Sequence, residues 1–249
     1  MYKQPLMFPE IPAWQAHDQF GIVAIGAATI WFLIWHFACQ ARHFQAAFRQ
    51  MWPTLDEERL QIRAVVAQRL SGLLLFGIGS MGIGWWLLAR TPDDYGLNLE
   101  ELPLSIGWTL LLALLIVPLN YFATRHPDNL AMYPQIRARR WSRGLVALSA
   151  TTWVAYLFGY EYLYRGLLLL ACAESWGAWP AIAINVCIYA LTHVPKGYRE
   201  AIGAIPLGLL LCLFTLHTGS IVAAFLIHCT MALANEWFSL RFHPDMEIV

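Results

Sequence analysis

Charge is scarce in this 249-residue chain: 13% of its residues are Asp, Glu, Lys or Arg, while 59% are apolar. A soluble domain of this size carries roughly a quarter charged residues, so a water-soluble globule is excluded. Lysine is almost missing, with fourteen arginines against Lys3 and Lys196, and the formal net charge is zero. That balance says nothing about partners, whereas the placement of the arginines does, and nucleic acid is not indicated. Cys-x-x-Cys and Cys/His metal-binding spacings are absent too. The five cysteines, Cys39, Cys172, Cys187, Cys212 and Cys229, are odd in number, lie in apolar runs and read as small packing residues. The stretch MYKQPLMFPEIPAWQAHDQF has one lysine, two acids and three prolines. It lacks the basic n-region and small-residue cleavage site of a secretory signal, so the first apolar segment is expected to be retained. There is no internal repeat, low-complexity tract or soluble domain.

What the chain does have is apolar length. A bilayer core of roughly 30 Å takes about 20 apolar residues per helix. Seven segments qualify, at 20–39, 71–89, 105–124, 144–173, 178–195, 201–217 and 220–238. The fold class expected is therefore all-α, a polytopic membrane bundle of about seven transmembrane helices. Residues 1–143 form its N-terminal part and 144–249 its polar-motif core, in one structural unit. Basic residues are retained in cytoplasmic loops. Loops 40–70 and 125–143 carry five each, the turn at 196–200 two, and the tail Arg241, whereas the alternate set has Lys3 and Arg90. This places the N-terminus outside and the C-terminus in the cytoplasm, the parity seven spans require. The compact design points to a prokaryotic inner membrane. Segment 40–70 mixes Phe, Leu and Val with Arg, which fits either an interfacial helix or a solvated connector.

Inside the fourth span stands GYEYLYRG, residues 159–166. A charge at mid-membrane costs about 2.5–3.5 kcal/mol on insertion scales, so such residues pair, face a cavity or take part in function. Glu161 and Arg165 are four apart on one helical face, close enough to form an ion pair. The fifth span aligns Asn185, Tyr189 and His193, and the last aligns His228 with Asn235 and has Thr230 nearby. A carboxylate and two imidazoles converging in a partly wetted cavity are the parts of a water-activating site.

At these residues the chain resembles the CPBP family, the intramembrane glutamic endopeptidases that include type II CAAX prenyl endopeptidases and bacteriocin-processing or self-immunity proteins. The family order is Glu-Glu-x-x-x-Arg, Phe-x-x-x-His and His-x-x-x-Asn on successive membrane helices. Here the motifs read Tyr160-Glu161-x-x-x-Arg165-Gly166, Tyr189-x-x-x-His193, and Gly219-Ser220 followed by His228. Tyr160 takes the slot of the first glutamate, and Ala232 takes that of the asparagine, with Asn235 coming one turn later. The likeness covers about residues 144–238. It implies a membrane-embedded endopeptidase, without metal or cofactor, acting on a membrane protein or prenylated peptide with the lipid bilayer as its surroundings. Its implied catalytic residues are Glu161 as base or orienting carboxylate, His193 as partner to the activated water and His228 as oxyanion donor. Arg165, Tyr160, Tyr189 and Asn235 are supporting residues.

Three other readings use the same residues. A non-catalytic CPBP-like scaffold could bind membrane segments in the cavity. A proton-coupled transporter could relay protons through Glu161, His193 and His228, but would show corresponding broken helices in two halves. A zinc protease could use these three residues as ligands, but no His-Glu-x-x-His pattern is present and Arg165 would repel the cation.

Overall fold

The computed structural model describes residues 13–249. Lys3 and most of the N-terminal stretch read for a signal lie outside the described residues. About 78% of the chain is helical. The helices are α1 (Asp18–Ala38), α2 (Ala41–Met51), α3 (Glu57–Gly72), α4 (Ser80–Leu87), α5 (Leu102–Ala123), α6 (Pro127–Met132), α7 (Arg143–Glu161), α8 (Leu169–Trp176), α9 (Ala178–His193), α10 (Tyr198–Thr218) and α11 (Val222–Phe242). Among the described residues, one parallel two-stranded ladder, β1 (Arg140–Trp141) with β2 (Glu247–Ile248), qualifies the all-α expectation.

Two π-helical stretches, Leu73–Gly79 and Tyr162–Leu168, join α3 to α4 and α7 to α8 into continuous rods. Each of the seven apolar segments thus corresponds to one long helical rod. Among the described residues, five rods are long and apolar enough to cross a membrane: Asp18–Ala38, Glu57–Leu87, Leu102–Ala123, Ala178–Lys196 and Tyr198–Thr218. The α7–α8 rod and α11 fall outside that set, and these two carry Glu161, Arg165, His228 and Glu236. Those four charged or ionisable residues are buried inside the bundle.

The second rod starts at Glu57, well before the residue 71 expected from hydropathy. Asp56 caps it by accepting the Arg59 N–H at 2.9 Å, and Glu57 and Glu58 complement the helix dipole in the first turn. Segment 40–70 therefore divides: its second half extends a rod, and its first half is α2, whose Phe44 and Phe48 align with Trp52 in a ring ladder. Arg69, assigned to the connector by sequence, is 2% exposed within the bundle. Among the cysteines, Cys172, Cys212 and Cys229 are buried as expected of packing residues, whereas Cys187 lies exposed on α9.

The two ends of the bundle differ chemically. At one, Trp176 donates to Asp18 Oδ1 at 2.9 Å, Arg90 pairs with Glu174, and Ile221 N–H donates to the Gly96 carbonyl at 2.9 Å. At the other, Gln61 donates to the Gln135 carbonyl at 2.8 Å, Arg139 N–H donates to Glu58, and β1 pairs with β2. The first rod begins at the former end and the chain finishes at the latter. The arginine-rich 125–143 segment and the C-terminus share one face of the molecule.

The α3–α4 and α7–α8 rods cross in close contact. A Cβ on Gly159 would stand 2.9 Å from the Gly77 nitrogen, so only glycine permits this backbone approach. The crossing lies two residues before Glu161 and fixes that part of α7 against its neighbour. On the opposite end of the motif, a Cβ on Gly166 would stand 2.7 Å from the Tyr95 carbonyl oxygen. The 91–98 loop is thereby seated against the π-helical turn.

Candidate active site

Glu161 ends the α-helical part of α7, and Arg165 lies within the π-helical turn that follows; both are 0% exposed. A π-helical turn widens the helix and often accompanies a functional site. Here it leaves the Glu161–Arg165 pair intact, with Arg165 Nε 3.4 Å from Glu161 Oε2. The other carboxylate oxygen, Oε1, lies 2.5 Å from His228 Nδ1 on α11. An ionised carboxylate can only accept, so His228 Nδ1 carries the proton and its Nε2 is left for other work. This contact joins two motifs 67 residues apart in the chain.

His193 is fixed at the C-terminal end of α9. Its Nδ1 donates to the Tyr189 carbonyl at 2.8 Å, which again leaves Nε2 unengaged. The two imidazoles flank Tyr160, whose ring centroid lies 6.4 Å from that of His193 and 5.7 Å from that of His228. Tyr189 touches the same pair, at 4.5 and 6.4 Å. Glu161, His193, His228, Arg165, Tyr160 and Tyr189 are thus gathered into one cluster by α7, α9 and α11.

Tyr160 is no spacer. Its hydroxyl lies 2.9 Å from Thr192 Oγ1, and Thr192 donates its own proton to the Tyr189 carbonyl at 2.8 Å. Tyr160 is therefore the donor in the shared contact, and Thr192 becomes part of the cluster. Sequence reading passed over Thr192, although its place beside His193 in an apolar helix was a signal. Asn235 is half-buried and joins none of the cluster's hydrogen bonds, and Ala232 packs against the core beside it. The buried polar residue on that turn is Glu236, missed although the cost of burying a carboxylate applies to it as to Glu161.

Several buried polar groups at the cluster have no protein hydrogen-bond partner: the Tyr164 and Tyr189 hydroxyls and all three nitrogens of the Arg165 guanidinium. Arg165 instead lies over the Tyr189 ring, its Cζ 4.0 Å from the centroid, a cation–π contact strengthened by exclusion of water. Asn185 fastens the same region by donating to the Tyr164 carbonyl at 2.5 Å. Among the described residues, no three His, Cys, Asp or Glu side chains are grouped to hold a metal ion. What the cluster offers chemically is a carboxylate-oriented imidazole, a second imidazole with a free Nε2, and unpartnered hydroxyl donors around them.

Residues 142–234 match the family model described as Rce1-like, type II CAAX prenyl endopeptidase Rce1-like. The matched segment runs from the start of α7 into α11 and includes Tyr160, Glu161, Arg165, Tyr189, His193 and His228. No curated protein and no solved structure matches the chain.

Proposed function

From residues 142–234 as a CPBP-type, Rce1-like domain, we propose that this integral membrane protein is an endopeptidase of the CAAX-protease type whose water is activated by a Glu161–His228 pair. The observation that carries this reading is the 2.5 Å contact between Glu161 Oε1 and His228 Nδ1 in a fully buried setting. Glu161 acts as the orienting carboxylate. It holds the His228 tautomer and stabilises the imidazolium that forms, so the loss of the first family glutamate to Tyr160 does not remove the base.

The chemistry then runs through His228 Nε2. It accepts a proton from water as the water oxygen bonds to the scissile carbonyl carbon, and His193 Nε2 accepts the water's second hydrogen bond to aim it. Tyr189, with its unpartnered hydroxyl, donates to the developing oxyanion. On collapse the C–N bond breaks, and the Nε2 proton passes to the leaving nitrogen. On this reading the arginine-rich end faces the cytoplasm, by the positive-inside bias.

A second reading has its own observation. Tyr160 and Ala232 stand where the family has catalytic groups, which suits a non-cleaving scaffold that binds membrane segments. Purified protein in detergent, offered a prenylated C-terminal peptide and a peptide library, separates the two. Cleavage that drops by about 10²–10⁴-fold in both Glu161→Gln and His228→Ala supports the protease. Cleavage unaffected by either variant refutes the mechanism, and a wild-type protein that binds but cleaves nothing supports the scaffold.

A further inference from the structure

A second buried charge cluster lies toward the arginine-rich end, outside the site just described. Arg69 of α3 and Glu236 of α11 are 2% and 4% exposed, with Arg69 Nη2 3.5 Å from Glu236 Oε1. Arg69 Nη1 also donates to the Ser149 carbonyl at 3.0 Å, to Ser149 Oγ at 3.0 Å and to Thr152 Oγ1 at 3.2 Å, while its Nε donates to Gln135 Oε1 at 3.2 Å. Ser149 completes the circuit by donating to Glu236 Oε1 at 2.6 Å. One guanidinium thus binds three rods, and two of those rods carry the reactive pair: Ser149 shares α7 with Glu161, and Glu236 shares α11 with His228.

The polar circuit is continued by rings. Arg69 Cζ lies 4.2 Å from the Trp153 ring centroid. Trp153 contacts Tyr156 at 5.9 Å, Tyr156 contacts Tyr160 at 5.8 Å, and Tyr160 contacts both catalytic imidazoles. The Gly77–Gly159 backbone contact holds the same rods together farther along. A buried ion pair is a poor source of stability, because desolvation offsets most of its attraction, and its best-attested use is to specify register.

We propose that Arg69 and Glu236 are positioning residues that set the register of α7 against α11, so that the Glu161 carboxylate meets His228 Nδ1. The role rests on the protease reading for its consequence in catalysis, but not for its geometry. Sliding or rotating α11 by about 1 Å would separate a 2.5 Å contact, and displacements of that order cost around 10²-fold in rate.

The test is a double variant, Arg69→Met with Glu236→Leu, which replaces both charges with apolar groups of similar length and therefore need not lose stability. In ¹⁵N-histidine-labelled protein in detergent micelles, the short Glu161–His228 bond gives a low-field Nδ1 proton resonance, assigned by its loss in Glu161→Gln. The double variant is expected to keep the wild-type unfolding midpoint while this resonance moves upfield or vanishes, and kcat falls roughly 10–100-fold with little change in KM. Glu236→Gln, which keeps shape and removes charge, is the second variant and is expected to shift the resonance in the same direction. A resonance unchanged from wild type in both variants overturns the proposal, whatever happens to cleavage. A resonance that moves in a protein that cleaves nothing upholds the positioning role and removes only the protease reading.

Discussion

Replacing Tyr160 distinguishes a packing residue from a stand-in for the missing carboxylate. Its ring is 5% exposed and lies between 4.4 and 6.4 Å, centroid to centroid, from Phe76, Tyr156, Tyr164, Tyr189, His193 and His228. Tyr160→Phe keeps these contacts and removes only the proton donated to Thr192, a loss of about 1 kcal/mol. Tyr160→Ala empties the centre of the aromatic cluster, where large-to-small changes cost about 3–5 kcal/mol. Tyr160→Glu loses the same ring and also buries a second carboxylate next to Glu161, with one guanidinium, Arg165, to serve both. Denaturant titration in a fixed detergent should therefore rank stability as wild type, Phe, Ala, then Glu. Cleavage assays should find the Phe variant near wild type and the Glu variant without gain, because the proposed base is His228. A Tyr160→Glu protein as stable as wild type and more active would refute the reasoning, since it would show that the site was built for a carboxylate at that position.

Gly159→Ala should destabilise by about 1–3 kcal/mol by driving a methyl into the Gly77 backbone, read in the same titration. At the loop between α4 and α5, the Asp94 carboxyl is held below its usual range, first by the Thr91 N–H and then by the Thr91 hydroxyl. Its contribution is present above the unfolded pKa and lost as pH falls through the lower folded one. Asp94→Asn should flatten that acid-side loss in unfolding midpoints measured against pH. A fluorescent protein fused to the C-terminus should fold and fluoresce if the arginine-rich end is cytoplasmic, and fluorescence from a fusion on the opposite end instead would reverse the orientation.

Much of the candidate cluster was legible because the penalty for charge in hydrocarbon leaves few innocent explanations. Glu161, Arg165, His193 and His228 are each conspicuous in apolar runs, and helical spacing alone set Glu161 and Arg165 on one face. The same rule applied to Glu236 and Arg69, yet both stayed hidden. Arg69 looked like a loop residue because hydropathy put the start of its rod too late, where charged Glu57 to Arg63 masked a helix that was already under way. Asn235 was chosen because it shares a helical face with His228, and Glu236 beside it was passed over, but α11 turns Glu236 toward Ser149 and Arg69. The π-helical turns had no signal in composition or periodicity. They add a residue to a turn where rods cross tightly, which is a tertiary event. Contact between Glu161 and His228 likewise depends on how two rods far apart in the chain are set against each other, and no local pattern encodes that.

The 91–98 loop seated on Gly166 has a consequence for bioenergetics. A buried charge cluster in an energised membrane leaks current if water reaches it from both sides, and each elementary charge that crosses a potential of 100 mV releases about 2.3 kcal/mol. Tyr95 is 1% exposed, its carbonyl lies within 2.7 Å of where a side chain at Gly166 would begin, and Gly96 and Asn98 fasten the loop to the α10–α11 turn. On the proposed reading that layer is the dielectric of the device: the voltage drops across it, and hydrolysis at the cluster would run at the electrical potential of the compartment from which its water comes.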